Sequence, residues 1–68
     1  MVSYNKLWKL LIDKGMMKKD LMQEAGISKS TIIKLNHGES VTTDTLARIC
    51  NSLKCDMGDI MEFIPDKK

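Results

Sequence analysis

Between Lys18 and His37 the chain reads KKDLMQEAGISKSTIIKLNH. Its ammonium groups, Lys18, Lys19, Lys29 and Lys34, outnumber its carboxylates, Asp20 and Glu24. Widening the stretch to residues 14–38 adds Lys14 and gives a local charge of +3. Residues 39–68 set Arg48, Lys54, Lys67 and Lys68 against Glu39, Asp44, Asp56, Asp59, Glu62 and Asp66, a charge of −2. The whole chain carries only +2. Cations gathered in the middle of a nearly neutral chain suit the binding of a polyanion, with a separate face at the acidic end. Many neutral enzymes show a similar bias, so the pattern needs the support of the elements that carry it.

Other chemistry finds little to work with. His37 is the single histidine, and no Ser/His/Asp set, glycine-rich phosphate loop or metal cluster accompanies it. Asp56, Asp59 and Glu62 are spaced to gather a cation, although three exposed carboxylates on a helix are usually just solvated. Cys50 and Cys55 lie five apart, which is neither a redox pair nor a zinc pattern; both are expected to be reduced, with Cys50 in the core. The reading is therefore of a protein that is not an enzyme, with no metal, cofactor or small-molecule ligand. At 68 residues the chain makes one domain, 1–68, with a modest core and little room for a substrate pocket. No apolar run is long enough to span a membrane and no secretory pattern opens the chain, so a cytoplasmic location and no membrane partner are expected.

The elements follow from apolar spacing. Tyr4, Leu7, Trp8 and Leu11 recur at i, i+3, i+4 and i+7 and predict a first helix over about 4–14, capped by Ser3 and stopped by Gly15. Trp8 is read as core. A second helix over about 18–25 ends at Gly26, and a third over about 28–37 starts at Ser28 and ends at Gly38. Thr42 or Thr43 caps a fourth, striped by Leu46, Ile49, Cys50 and Leu53. Asp56 caps a fifth, with Met57, Ile60, Met61 and Ile64 as its apolar positions; Pro65 and the charged end then fray. No window alternates strongly enough to predict a strand. Two short helices joined by a tight glycine turn, with Leu21, Ala25, Ile27, Ile32 and Leu35 inward, form a steeply crossed pair. The outer face of the third helix then reads Lys29, Ser30, Ile33, Lys34 and His37.

This window resembles the helix-turn-helix of the Cro/C1-type (Xre) family of regulators. The similarity runs over nearly the whole chain, and most firmly over residues 7–61. TLARICNSL, after a short loop from HGES, is similar to the family's fourth helix. CDMGDIMEFIPD resembles the tail of small stand-alone members. The resemblance implies an all-α, five-helix, lambda repressor-like DNA-binding domain with its helix-turn-helix at about 18–37. It further implies a transcriptional regulator, read here as a repressor, that binds double-stranded DNA as a homodimer. Two positions depart from the pattern. Met22 stands where the family mostly has alanine, and Met17 where it often has a capping Ser or Thr, a cap worth about 1 kcal/mol.

Carried over, the resemblance makes Lys29, Ser30, Ile33 and Lys34 the base readers: lysine to guanine, serine to several edges, Ile33 to a thymine methyl. A solvated helix face is the plainer account of the same lysines. Lys18, Lys19, Ser28, Thr31, Asn36, His37 and Ser40 become phosphate contacts. Lys18 stands out because a cation at a helix start opposes the helix dipole, a conflict that a phosphate would resolve. Met57, Ile60, Met61, Phe63 and Ile64 offer more apolar surface than a small core needs and are read as a two-fold interface, with core packing as the alternative. A protein-interaction module of the same fold, such as an antitoxin or adaptor, is the competing function. The basic outer face of the third helix speaks against it.

Overall fold

The computed structural model describes residues 1–65. The expected fraying of the charged end beyond Pro65 lies outside the described residues. In chain order the elements are β1 (Val2–Ser3), α1 (Asn5–Asp13), α2 (Lys18–Ala25), α3 (Lys29–Asn36), α4 (Thr43–Leu53), a single 3-10 turn (Met57–Asp59) and β2 (Glu62–Phe63). The fold is all-helical in its core, with four helices rather than five.

Each helix begins and ends for a local reason. Tyr4, not Ser3, occupies the N-cap position of α1, because Ser3 is drawn into β1; the Ser3 hydroxyl still accepts the Asn5 N–H at 3.3 Å. Met17 leaves α2 without a capping hydroxyl, but Asp20 Oδ2 accepts the Met17 N–H at 2.8 Å, which keeps one half of a capping box. Gly26 closes α2 in the left-handed region at φ +68, a conformation that costs a residue with a Cβ. Ser28 Oγ caps α3 through the Thr31 N–H at 3.3 Å, and Thr42 rather than Thr43 caps α4 through Thr45 N–H at 3.2 Å.

The core takes one fully buried side chain from each helix and one from the tail: Leu7, Leu21, Leu35, Ile49 and Ile60. No charged or polar residue is buried among the described residues. Met22 is half-buried at the edge of this cluster, which accommodates the larger side chain where the helices meet. Lys54 ends α4 in the left-handed region at φ 55, and the chain folds back so that the Cys55 N–H donates to the Cys50 carbonyl at 3.0 Å. That helix-ending motif brings Cys50, fourth from the end of α4, together with Cys55, two residues beyond it. Both cysteines are free and half-buried, and Cys50 packs against the core cluster. Burial, and then the adjacent Cys50, push the Cys55 thiol up to about 11.

The expected fifth helix is the main correction. Asp56 does cap, since its Oδ1 accepts the Met57 N–H at 2.9 Å and Asp59 Oδ2 accepts the Asp56 N–H at 2.9 Å. The helix stops after one 3-10 turn. Gly58 weakens helix there, and Ile60 must turn inward to fill the core against α1 and α4. The chain then runs antiparallel to its own start, Val2 opposite Phe63 and Ser3 opposite Glu62. Met1 and Ile64 extend the pairing: the Met1 amino group donates to the Ile64 carbonyl at 2.8 Å, and the Ile64 N–H donates to the Met1 carbonyl at 2.8 Å.

Candidate nucleic-acid interface

The turn between α2 and α3 fixes the angle of the pair. It is braced from α4: Arg48 Nη1 donates to the Gly26 carbonyl at 3.4 Å, and Arg48 Nε donates to Asp44 Oδ2 at 3.1 Å. Sequence reasoning gave Arg48 no role, because its partner lies 22 residues away. With the turn set, Ile32 and Leu35 point into the core, and Lys29, Ser30, Ile33 and Lys34 stand exposed on the opposite face of α3. Ile33 keeps 47% of its surface accessible, an apolar side chain displayed among polar ones. Neither Lys29 nor Lys34 has a carboxylate partner among the described residues, so the face keeps its positive charge.

Hydroxyls cluster at the start of α3. Ser28 Oγ lies 2.9 Å from Ser30 Oγ and 3.1 Å from Thr31 Oγ1. Ser28 is thus both the cap of α3 and the hub of three side chains expected to meet DNA. Thr31, half-buried, shares a shallow hollow with Lys34 and Ser40, which brings the loop residue beside the helix.

Lys18 opens α2 and reaches across to the end of α3, where its Nζ donates to Asn36 Oδ1 at 2.7 Å. The same ammonium sits 4.4 Å from the centre of the Trp8 ring. Trp8, expected in the core, is half-buried and turns a face to this cation. No spacing rule would find the contact, since it joins two helices across ten residues. Lys19 and His37 are exposed. His37 stands at the C-cap of α3, beside a hollow that it shares with Met1 and Ile64.

The residues expected at a two-fold interface separate into three environments. Ile60 is fully buried and belongs to the core of its own chain, because the 3-10 turn points it inward, so it cannot form part of an interface. Met57 and Met61 are half-buried against the core. Phe63 and Ile64 are exposed, at 70% and 40%. No group of three or more His, Cys, Asp or Glu residues able to hold a metal occurs among the described residues. Asp56 Oδ1 accepts the Met57 N–H, and Asp59 Oδ2 accepts the Asp56 N–H just before the 3-10 turn. No helix among the described residues is long and apolar enough to cross a membrane.

Two comparisons bear on this geometry. The profile of the Cro/C1-type HTH DNA-binding domain matches residues 6–66. The fold is similar to the crystal structure of the transcriptional regulator VanUg, form II, with a TM-score of 0.91 and 54% sequence identity over 96% of this chain and 87% of that one. No protein of curated function matches the sequence.

Proposed function

The chain belongs to the Cro/C1-type helix-turn-helix DNA-binding family, and on that premise we propose that it regulates transcription by reading specific double-stranded DNA in the major groove with α3. The observation that carries this reading is the outer face of α3. Lys29, Ser30, Ile33 and Lys34 are exposed together and unneutralised, while Ile32 and Leu35 anchor the same helix from behind. Such a face supplies donors for guanine, an adaptable hydroxyl and an apolar contact for a thymine methyl. Lys18, Lys19, Ser28, Thr31, Asn36, His37 and Ser40 surround it as phosphate contacts that set register without reading sequence.

The acting form is a homodimer on a two-fold operator with half-sites about 34 Å apart. Phe63 and Ile64, with the flanks of Met57 and Met61, supply the apolar surface that supports this reading. Occupying the operator blocks polymerase, which makes the protein a repressor.

The test is selection of bound duplexes from a random pool by the purified chain at about 150 mM salt, where nonspecific binding is weak. A two-fold motif that disappears with Lys29→Ala supports both the reader and the dimer. A single half-site keeps the reader and removes the dimer. No enrichment by folded protein overturns the proposal and favours a module that binds protein.

A further inference from the structure

Lys18 is held by two groups that position a cation without cancelling it. The Trp8 ring attracts the ammonium through its face at 4.4 Å, and Asn36 Oδ1 accepts one of its protons at 2.7 Å. A carboxylate in either place would fix the side chain equally well and remove its charge. Here the full positive charge remains, and of the three ammonium donors Asn36 takes only one. Asn36 must turn its oxygen to the ammonium, because an ammonium cannot accept, and its amide N–H groups are thereby directed elsewhere. The junction of α1, the start of α2 and the end of α3 therefore presents the Lys18 ammonium and the Asn36 amide as donors, while the nearby Asp20 carboxylate is turned to the Met17 N–H rather than to the ammonium.

We propose that Trp8 is a positioning residue for DNA binding: its ring, with Asn36, holds the Lys18 ammonium in the free protein where a backbone phosphate meets the start of α2. The inference rests on the DNA reading above. A lysine on an open surface samples many rotamers and loses that freedom when it grips a phosphate. Lys18 has already lost part of it. Trp8 touches no DNA in this scheme and acts only through the lysine.

Its contribution is measurable as a coupling. Trp8→Phe keeps an aromatic ring packed against the core and weakens the attraction for the cation; Lys18→Met keeps the stem and removes the charge. Affinity for the duplex enriched in the selection above is measured for both variants and for the double variant, across a salt series. Trp8→Phe is expected to bind about twofold more weakly, a part of the roughly two- to fivefold worth of a whole exposed cation–π contact, since the phenyl ring keeps some of it. It leaves the dependence of log affinity on log salt unchanged, because it removes no charge. Lys18→Met lowers that slope by about one. The double variant binds no more weakly than Lys18→Met alone. An equal loss from Trp8→Phe in both backgrounds means that Trp8 acts through packing only, and overturns the proposal. An unchanged or tighter affinity on Trp8→Phe overturns it as well.

Trp8 is the single tryptophan, so the contact also has a readout free of DNA. Lys18→Met must change Trp8 emission in the folded, unbound protein, and unchanged emission overturns the proposal whatever the affinities. If folded wild-type protein binds no duplex, the DNA reading falls and takes this proposal with it. Binding with an additive cycle removes this proposal alone.

Discussion

Ile60 and Phe63 lie three residues apart in the tail and should respond to alanine in opposite ways. Ile60 is 0% exposed and Phe63 is 70% exposed. Ile60→Ala removes most of a buried side chain and leaves a cavity between the 3-10 turn, α1 and α4, at a cost of about 2–5 kcal/mol. A domain of this length holds about 3–10 kcal/mol in total, at roughly 0.05–0.15 kcal/mol per residue. The variant therefore forfeits a large share of its stability and melts at least 8 °C or so lower. Phe63→Ala changes an accessible side chain on a two-residue strand and costs the isolated chain no more than about 0.5 kcal/mol. Urea unfolding followed by Trp8 emission and far-ultraviolet circular dichroism measures both. An Ile60→Ala midpoint within error of wild type would refute the placement of Ile60 in the core. Equal losses at the two positions would refute the 3-10 turn and strand in favour of a helix. Sedimentation of the same Phe63→Ala protein tests the proposed dimer separately: a shift from dimer to monomer with little change in chain stability at low concentration is the expected result.

The glycines give a graded test of backbone geometry. Gly26→Ala places a Cβ at φ +68 with only Arg48 Nη1 near it, at 4.0 Å, and should cost about 1–2 kcal/mol in thermal unfolding. Gly38→Ala carries the same conformational cost at φ +69 and adds a Cβ 3.0 Å from the Val2 carbonyl oxygen, so its loss should be the larger; the reverse order would refute the close approach of β1 to the end of α3. Cys55, with its thiol pushed up to about 11, stays protonated at neutral pH and should alkylate slowly there in the folded protein. Its rate with iodoacetamide should climb as pH rises towards that value, while urea-unfolded chain reacts with the profile of an ordinary thiol. Fast alkylation of folded Cys55 at pH 7 would refute the shielding.

The helix-turn-helix was legible because its information is local. Gly26 and Gly38 stop helices, Ser28 starts one, and Ile32 and Leu35 repeat with the period of a buried stripe, all within a few residues of the structure they cause. The tail is not legible for the complementary reason. Met57, Ile60, Met61 and Ile64 satisfy the helical spacing, and Asp56 and Asp59 supply a valid cap. Gly58 weakens the helix locally, but what takes its place is set by a partner about sixty residues away, the opening strand Val2–Ser3. A two-residue strand is too short to show alternation, so no pattern in the tail could announce it. The same event moved the N-cap of α1 from Ser3 to Tyr4, and it divided an apolar set that looked uniform into buried Ile60 and exposed Phe63.

Lys18 shows how far a local conflict can be trusted as a functional signal. A cation in the first turn of a helix opposes the dipole, and a phosphate is one resolution. The fold supplies another within the chain itself, since the Trp8 face and Asn36 Oδ1 both favour the ammonium where it stands. The conflict alone is therefore no argument for DNA. What favours a phosphate is the kind of resolution chosen. Asp20, two residues later and therefore on another face of α2, spends its Oδ2 on the Met17 N–H. The lysine is held by a π face and an amide, neither of which carries a charge. An exposed ion pair would stabilise the chain about as much as these contacts do, but it would cancel the charge. Keeping the charge whole, ordered and beside α3 makes sense when an anion is to arrive from outside.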